Sequence, residues 1–227
     1  MKNAFLTNNA LKIIAVIAML CDHVGKELFP QVEVLQIIGR IAFPIFSYMI
    51  AEGCFYTRDK KKYLCKIAFL GLGCQLVYFV AEHSFYQNVL ITFTLSILTI
   101  YTIEYFFNKK SILSVFLLAC DVFSVLIICF AIPYIVEGFH IDYGIFGLML
   151  PILVYFARDK KAKLIVLFFS TILLSFDLGG IQWYSLLSVI IIFAYNGKRG
   201  KLNLKYLFYI FYPLHLALIY LIKILFF

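Results

Sequence analysis

The stretch SILSVFLLACDVFSVLIICFAIPYIV, from Ser111 to Val136, contains one charged residue, Asp121, among apolar and small side chains. An α-helix rises about 1.5 Å per residue, so this stretch is long enough to cross a hydrocarbon core about 30 Å thick. The stretch therefore predicts a transmembrane helix, and the rest of the chain has the same character.

The whole chain is too apolar for a protein that folds in water. Of its 227 residues, 64% are hydrophobic and 14% are charged, and the mean hydropathy is +0.97. Globular domains are about 45–50% apolar and about 25% charged, so lipid must solvate most of this chain. We predict an all-α, polytopic membrane bundle of about nine transmembrane helices in one domain, residues 1–227. The predicted helices are Asn9–Leu28, Val34–Tyr56, Tyr63–Glu82, Val89–Phe107, Ser111–Val136, Tyr143–Ala157, Lys163–Leu178, Trp183–Tyr195 and Lys205–Phe226.

Lysine and arginine are concentrated in alternate connections between these helices. Such residues gather on the cytoplasmic side of membrane proteins, which predicts a cytoplasmic N-terminus, with Lys2, and an external C-terminus. The intervening connections hold only Lys26. Because topology accounts for the net charge of +8, a nucleic acid partner is not expected. The basic connections hold Arg58, Lys60, Lys61, Lys62, Lys66, Lys109, Lys110, Arg158, Lys160, Lys161, Lys163, Lys198, Arg199, Lys201 and Lys205.

Ionisable side chains inside the predicted spans are the first candidates for function, because a charge at bilayer depth is costly unless it is paired or hydrated. His23, preceded by Asp22, lies about 7 Å inside the outer end of the first helix. Arg40 lies about 9 Å inside the outer end of the second, so the two share a depth on antiparallel neighbours. His215 is expected near the midplane, about 15 Å from the inner end of the last helix, and Asp121 is similarly deep.

These residues also have plainer explanations. Asp22 and His23 are consistent with an interfacial helix end, and Arg40 with a structural ion pair to Asp22 or Asp121. His215 is consistent with a hydrogen-bonded core histidine. The six cysteines lack the paired spacing of metal sites, so no metal centre is expected.

Several short motifs occur in the first third of the chain and at its end. They are Leu11–Ala15, Cys21–His23, Ile38–Phe46 with its Gly39-Arg40 pair, Glu52-Gly53, Arg58–Lys60 and Phe211–His215. These motifs resemble the TraX family, with which the middle of the chain agrees mainly in hydropathy. The resemblance implies an acetyltransferase of the bacterial inner (cytoplasmic) membrane, because the namesake is implicated in N-terminal acetylation of a conjugative pilin subunit.

The family is in turn distantly similar to the acyltransferase-3 and heparan-type transmembrane acetyltransferases. Their first helix carries a basic residue, ten intervening residues and a histidine. Lys12 and His23 have that spacing, with lysine in place of the usual arginine. The resemblance implies acetyl-CoA as the co-substrate and a membrane-associated peptide or protein, pilin-like, as the acceptor.

The candidate residues suit acetyl transfer to an amine. Such a transfer needs a base for the amine proton and a donor for the developing oxyanion. His23 is the expected base, Asp22 tunes it or binds the cationic acceptor, and Arg40 stabilises the oxyanion or grips the donor. Because Asp22 and His23 are about 100° apart on their helix, the group that orients His23 should come from another helix. Candidates to support His23 or contact the acceptor are His215, Tyr212, Glu52 and Asp121.

Cytoplasmic cations are the expected ligands of the CoA phosphates. Positive-inside topology alone would produce the same basic loops, so their role stays open. One four-residue motif, Arg58-Asp59-Lys60-Lys61, recurs as Arg158-Asp159-Lys160-Lys161. The candidate CoA ligands are Lys12, Arg58, Lys60, Lys61, Arg158, Lys160 and Lys161.

Two other classes of protein compete with an acetyltransferase. A small secondary transporter would use Asp121, Arg40 and His215 as a proton or substrate relay. Against it, the sequence predicts no convincing inverted repeat and no paired broken helices, which are typical of transporters. A non-catalytic membrane scaffold is the third class, and it gives no reason for His23 and Arg40 to share a depth.

Overall fold

The computed structural model describes residues 4–201 and 205–226, with side chains throughout except at Ala81 and residues 205–209. Lys2 and the side chain of Lys205, two of the predicted cytoplasmic cations, lie outside this part. Within it the chain forms helices and no strand, with isolated bridges pairing Leu6 with Tyr195 and Gln87 with Ile141. The helices are α1 (Asn8–Glu27), α2 (Glu33–Gly39), α3 (Ala42–Tyr56), α4 (Lys60–Glu82), α5 (Val89–Lys109), α6 (Ile112–Leu126), a π-helical turn (Ile127–Ala131), α7 (Ile132–Ile135), α8 (Gly144–Phe156), α9 (Lys160–Leu178), a 3₁₀ helix (Gly180–Leu186), α10 (Leu187–Phe193) and α11 (Lys205–Phe226).

The all-α class is confirmed, and each predicted span coincides with helix to within about three residues. The second span is two helices, α2 and α3, separated at Arg40 and Ile41. The eighth is the 3₁₀ helix followed by α10. Among the described residues, four helical segments are long and apolar enough to cross a membrane: Glu33–Tyr56, Lys60–Val80, Val89–Lys109 and Ile112–Ile135.

Polar side chains start several of these helices by accepting a hydrogen bond from an otherwise unpaired backbone N–H in the first turn. Asp59 caps α4 by accepting from Lys62 N at 2.9 Å, and Asp159 caps α9 by accepting from Ala162 N at 2.8 Å. The recurring Arg-Asp-Lys-Lys motif is therefore a shared way of starting a helix. The other caps of this kind are Thr7, Asn88 and Ser111.

The chain divides into two compact units, and the first comprises Met1–Met49 and Ala157–Phe227. In it α1 and α2 form a close hairpin, because glycines stand where they touch. A Cβ on Gly39 would lie 2.8 Å from Asp22 Cα, and a Cβ on Gly25 would lie 2.8 Å from Leu35 Cβ. Small residues at such crossings let helix backbones approach closely. The close approach brings the start of the α2–α3 break beside α1.

The first and last helices of this unit run in the same direction. His23 on α1 faces His215 on α11, and Glu27, four residues further on, pairs with Lys223 at 2.8 Å. At the opposite end, Leu6 N donates to Ala194 O at 2.9 Å, and Lys160 Nζ donates to Phe193 O at 3.0 Å. The starts of α1 and α9 and the end of α10 therefore share one end of the unit.

The second unit, Ile50–Phe156, is built around α5, which packs against α4, α6 and α8. Ser96 Oγ on α5 donates to Leu148 O on α8 at 2.8 Å. At one end Lys60 pairs with Glu104 at 2.6 Å, and at the other Gln87 N donates to His140 O at 2.7 Å. Large apolar side chains cover the outside of α6 and the π-helical turn, as expected for a surface that faces lipid. Those more than half exposed include Phe116, Phe123 and Phe130.

Candidate active site

Two histidines from the ends of the chain form a pair in the first unit. His23 Nδ1 lies 2.8 Å from His215 Nε2, and the ring centroids are 5.0 Å apart with an interplanar angle of 20°. His215 is buried, and its other nitrogen, Nδ1, lies 2.8 Å from Phe211 O one turn earlier on α11. Phe211 stacks on the His215 ring at 4.9 Å, and Tyr212 meets it edge-on at 5.5 Å.

The hydrogen bonds of this pair fix where the protons lie when both rings are neutral. A backbone carbonyl only accepts, so His215 Nδ1 must carry the proton that bonds Phe211 O. His215 Nε2 then has a lone pair and accepts from His23 Nδ1–H. The remaining lone pair of His23 is at Nε2, and no hydrogen-bond partner of that atom lies in the described part of the chain. The arrangement therefore leaves a histidine nitrogen ready to accept a proton.

Asp22, the residue before His23, is held by two cations. Its Oδ1 accepts from Arg40 Nη2, and its Oδ2 pairs with Lys26 Nζ at 2.7 Å. The side chains of Asp22 and Arg40 are 7% and 11% exposed, whereas that of Lys26 is 44% exposed. As the similar depths predict, Arg40 reaches α1. Both oxygens of Asp22 are therefore occupied by cations, and neither is hydrogen-bonded to His23.

Arg40 lies between α2 and α3, and its guanidinium bonds three other residues, one of which is Asp22. Nε donates to Gln36 O at 3.2 Å, closing the end of α2, and Nη1 donates to Gln182 Oε1 at 3.4 Å. Gln182 belongs to the 3₁₀ helix and is buried. Sequence reasoning missed it, because the eighth span was predicted to start at Trp183. The signal available was a polar residue next to Gly179-Gly180 in an apolar region.

The other sequence-predicted residues are distributed over both units. His23 is four residues from the end of α1 and His215 is eleven from the end of α11, so the rings meet because the two helices end at different levels. Lys12 lies on the same face of α1 as His23, since eleven residues make about three turns, but about 16 Å away along the axis. Glu52 and Asp121 are buried in the second unit.

The basic residues proposed to bind phosphate fall into two kinds. Lys60 is paired with Glu104 and lies 5.3 Å from the Tyr101 ring. Lys160 donates to backbone carbonyls at the end of α10. Both lysines therefore hold helices together. The other proposed phosphate ligands at these two turns, all of them exposed, are Arg58, Lys61, Arg158 and Lys161.

Two of the predicted spans change helix geometry along their length. The interruption between α2 and α3 carries Arg40, and the 3₁₀ helix that precedes α10 carries Gln182. The two interrupted segments pack together, so their polar groups meet. Hydropathy could not show this, because it averages over residues and does not register which backbone hydrogen bonds form.

Comparison with known proteins identifies the chain. The model of the family described as TraX protein matches residues 7–223, which include every residue of the site. The chain belongs to the TraX family. It is 27% identical over 241 aligned positions to the probable fimbrial assembly protein FimC, serogroup H1, of Dichelobacter nodosus, covering 92% of each protein. It is also 32% identical to an uncharacterized protein of Rickettsia prowazekii, covering 87% of this chain and 73% of that one.

No solved structure matches this TraX family chain. Asp22 and His23 lie in the motif Cys21–His23, Arg40 lies in Ile38–Phe46, and His215 lies in Phe211–His215. Residues far apart in the chain therefore meet in the first unit.

Proposed function

We propose that this TraX family protein is a membrane-embedded acetyltransferase of the bacterial inner membrane. It transfers an acetyl group from cytoplasmic acetyl-CoA to the N-terminal amine of a membrane-associated peptide or protein. The observation that carries the proposal is the His23–His215 pair, whose hydrogen bonds leave His23 Nε2 as a proton acceptor. A relative named a probable fimbrial assembly protein supports a pilin-like acceptor.

A single base is enough to balance the proton transfers of this reaction. The amine nitrogen attacks the thioester carbonyl carbon, an N–C bond forms, and the carbonyl electron pair moves onto oxygen. His23 Nε2 takes the amine proton, as general bases do when held by a neighbouring group. The C=O bond then re-forms as the C–S bond breaks, and the leaving thiolate takes the proton from His23. The products are the N-acetylated acceptor and CoA.

Each of the two polar pairs has its own part in this scheme. His215 holds His23 in the tautomer that exposes Nε2, which is the part an orienting residue plays in a catalytic triad. Arg40 acts as a fixed positive charge near the reacting carbonyl, because its nitrogens already bond Gln36, Gln182 and Asp22. Asp22 keeps that guanidinium in place. A preorganised charge stabilises the oxyanion without reorganising during the reaction.

The CoA phosphates would meet the exposed cations at one of two turns, either before α4 or before α9. Because Lys60 and Lys160 make contacts that hold helices together, the proposal assigns the phosphates to Arg58 with Lys61, or to Arg158 with Lys161. These contacts are solvent-exposed, so salt should weaken donor binding. Neutralising Arg58 with Lys61, or Arg158 with Lys161, should weaken it further and identify the entry side.

The proposal includes nine membrane crossings with a cytoplasmic N-terminus. The parallel course of α1 and α11 supports an odd number of crossings, since both helices then run outward. Fifteen loop cations on one side against one on the other support the orientation. Reporter fusions at Lys61 and Glu82 should report opposite compartments. Reporters that read the same compartment would refute the topology.

A transfer assay tests the activity itself. Purified protein in detergent is given labelled acetyl-CoA and a peptide with a free N-terminal amine. Label should move to the peptide and should not move to the same peptide with a blocked N-terminus. Label that stays on CoA, from a preparation that also fails to bind CoA, would contradict the proposal.

A secondary transporter is the second candidate, and a specific observation favours it. Interrupted helices that meet through buried polar groups form the substrate sites of many transporters, and here Arg40 and Gln182 meet at two such interruptions. To test transport, the protein is reconstituted into proteoliposomes and the uptake of mixtures of labelled small molecules is measured. Arg40→Gln is the control variant. A non-catalytic scaffold would show neither transfer nor uptake.

A further inference from the structure

Gln182 has a buried amide group with one side bonded and the other unpartnered. The residue is 2% exposed, in the 3₁₀ helix between α9 and α10. Its Oε1 accepts from Arg40 Nη1 at 3.4 Å. Its Nε2 is buried and has no hydrogen-bond partner in the described part of the chain. Buried amide donors are nearly always paired, so this one calls for an explanation.

The orientation of the amide follows from its neighbour. A guanidinium has only donors, so the amide must turn its oxygen to Arg40 and its NH₂ away from it. The hydrogen bond from a cation also polarises the amide, which strengthens the remaining N–H donors. Asp22 fixes Arg40 in turn, and Asp22 precedes His23 on α1. The unpartnered donor is therefore at the end of a chain of contacts that starts beside the proposed base.

We propose that Gln182 Nε2–H donates to the carbonyl oxygen of the acyl donor. This inference rests on the proposed acetyl transfer and adds the residue that touches the reacting oxygen. A neutral carbonyl oxygen accepts from an N–H, and it accepts more strongly once it carries the electron pair displaced by the amine. No proton is transferred from Gln182, so the balance of the reaction is unchanged. Arg40 bonds the amide oxygen of Gln182, and the amide nitrogen of Gln182 contacts the ligand.

The ligand carbonyl can be removed without removing the rest of CoA. S-ethyl-CoA is a thioether that has the nucleotide and pantetheine of acetyl-CoA and lacks the carbonyl oxygen. Comparing the affinities of the two ligands isolates the contact to that oxygen, as a double-mutant cycle does. The wild-type protein should bind acetyl-CoA about 2- to 12-fold more tightly, the range for one neutral hydrogen bond.

Variants at position 182 should abolish this preference. Gln182→Glu keeps the acceptor toward Arg40 and loses the donor, and Gln182→Met loses both. In each variant the ratio of the affinities for acetyl-CoA and S-ethyl-CoA should fall to one. Binding of S-ethyl-CoA should stay at the wild-type level, which also shows that the variant is folded. Transfer should fall about 10²–10³-fold, as for loss of one oxyanion donor. Ser188→Ala is the matched control, because Ser188 also has a buried, unpartnered side-chain oxygen and should keep the ratio.

The outcomes separate the two proposals. Wild-type protein that binds neither ligand would contradict the acetyltransferase proposal. Wild-type protein that binds both equally would overturn the role of Gln182 alone, without any variant. A preference for acetyl-CoA that survives in Gln182→Met would overturn it as well. Loss of the preference in Gln182→Glu and Gln182→Met, with Ser188→Ala unchanged, would establish the contact.

Discussion

The buried Asp22–Arg40 pair gives the clearest prediction about stability. Arg40→Met removes the cation and keeps much of the side-chain volume. It leaves Asp22, whose side chain is 7% exposed, with Lys26 as its cation. Removing one partner of a buried ion pair costs up to about 3–5 kcal/mol, and Lys26, which stays paired with Oδ2 but is half-exposed, compensates only part of the charge of Asp22. Lys26→Met should cost about 1 kcal/mol or less, since the Lys26 side chain is 44% exposed.

The measurement is the free energy of unfolding in detergent, by denaturant titration followed by circular dichroism. The double variant Asp22→Asn with Arg40→Met removes both charges and should recover a large part of the loss, because no unpaired anion remains. Equal costs for Arg40→Met and Lys26→Met would show that Asp22 is not a buried anion. The account of α1 and α2 would then be wrong.

Two further predictions concern packing and the histidine pair. Gly39→Ala should cost about 1–3 kcal/mol of folding free energy, because the new Cβ overpacks against α1. Gly73→Ala, whose new Cβ has nothing within 4 Å, should stabilise α4 by up to about 1 kcal/mol. Thermal unfolding of both variants tests this, and equal shifts in the midpoint would contradict the close approach of α2 to α1. His215→Leu should lower the transfer rate by up to about 10²–10⁴-fold because His23 loses its orienting acceptor. His215→Gln, which can place an acceptor near the same point, should restore part of the rate, and the pH–rate profiles of the two variants should differ. Equal rates in both variants would refute the tautomer argument.

The positions of the helices could be predicted because they depend on local patterns. Long apolar runs and capping residues such as Asp59 and Asp159 determine where helices begin, and both are visible in the sequence. The break at Arg40 was not predicted, because hydropathy is continuous across it. Pro44 in the first turn of α3 was a usable signal, since proline is tolerated at helix starts and lacks the N–H that a helix interior needs.

The candidate site was predictable only in part. Asp22, His23 and Arg40 could be proposed because ionisable side chains inside an apolar span are conspicuous. Their partners depend on tertiary contacts that no local pattern encodes. His215 meets His23 across 192 positions of sequence, and Gln182 lay outside the predicted span. The sequence predicted that a group orienting His23 would come from another helix, and His215 on α11 lies within hydrogen-bond distance of His23.

The central claim is that His23 is the base for acetyl transfer, and one measurement tests it most directly. Single-turnover transfer from labelled acetyl-CoA to a peptide amine is measured for wild-type protein and for His23→Ala, together with the CoA dissociation constant of each. We predict that His23→Ala lowers the transfer rate about 10²–10⁴-fold and leaves CoA affinity unchanged, because a base acts on the barrier and contributes little to donor binding. A His23→Ala protein that binds CoA normally and transfers acetyl at the wild-type rate would contradict the account.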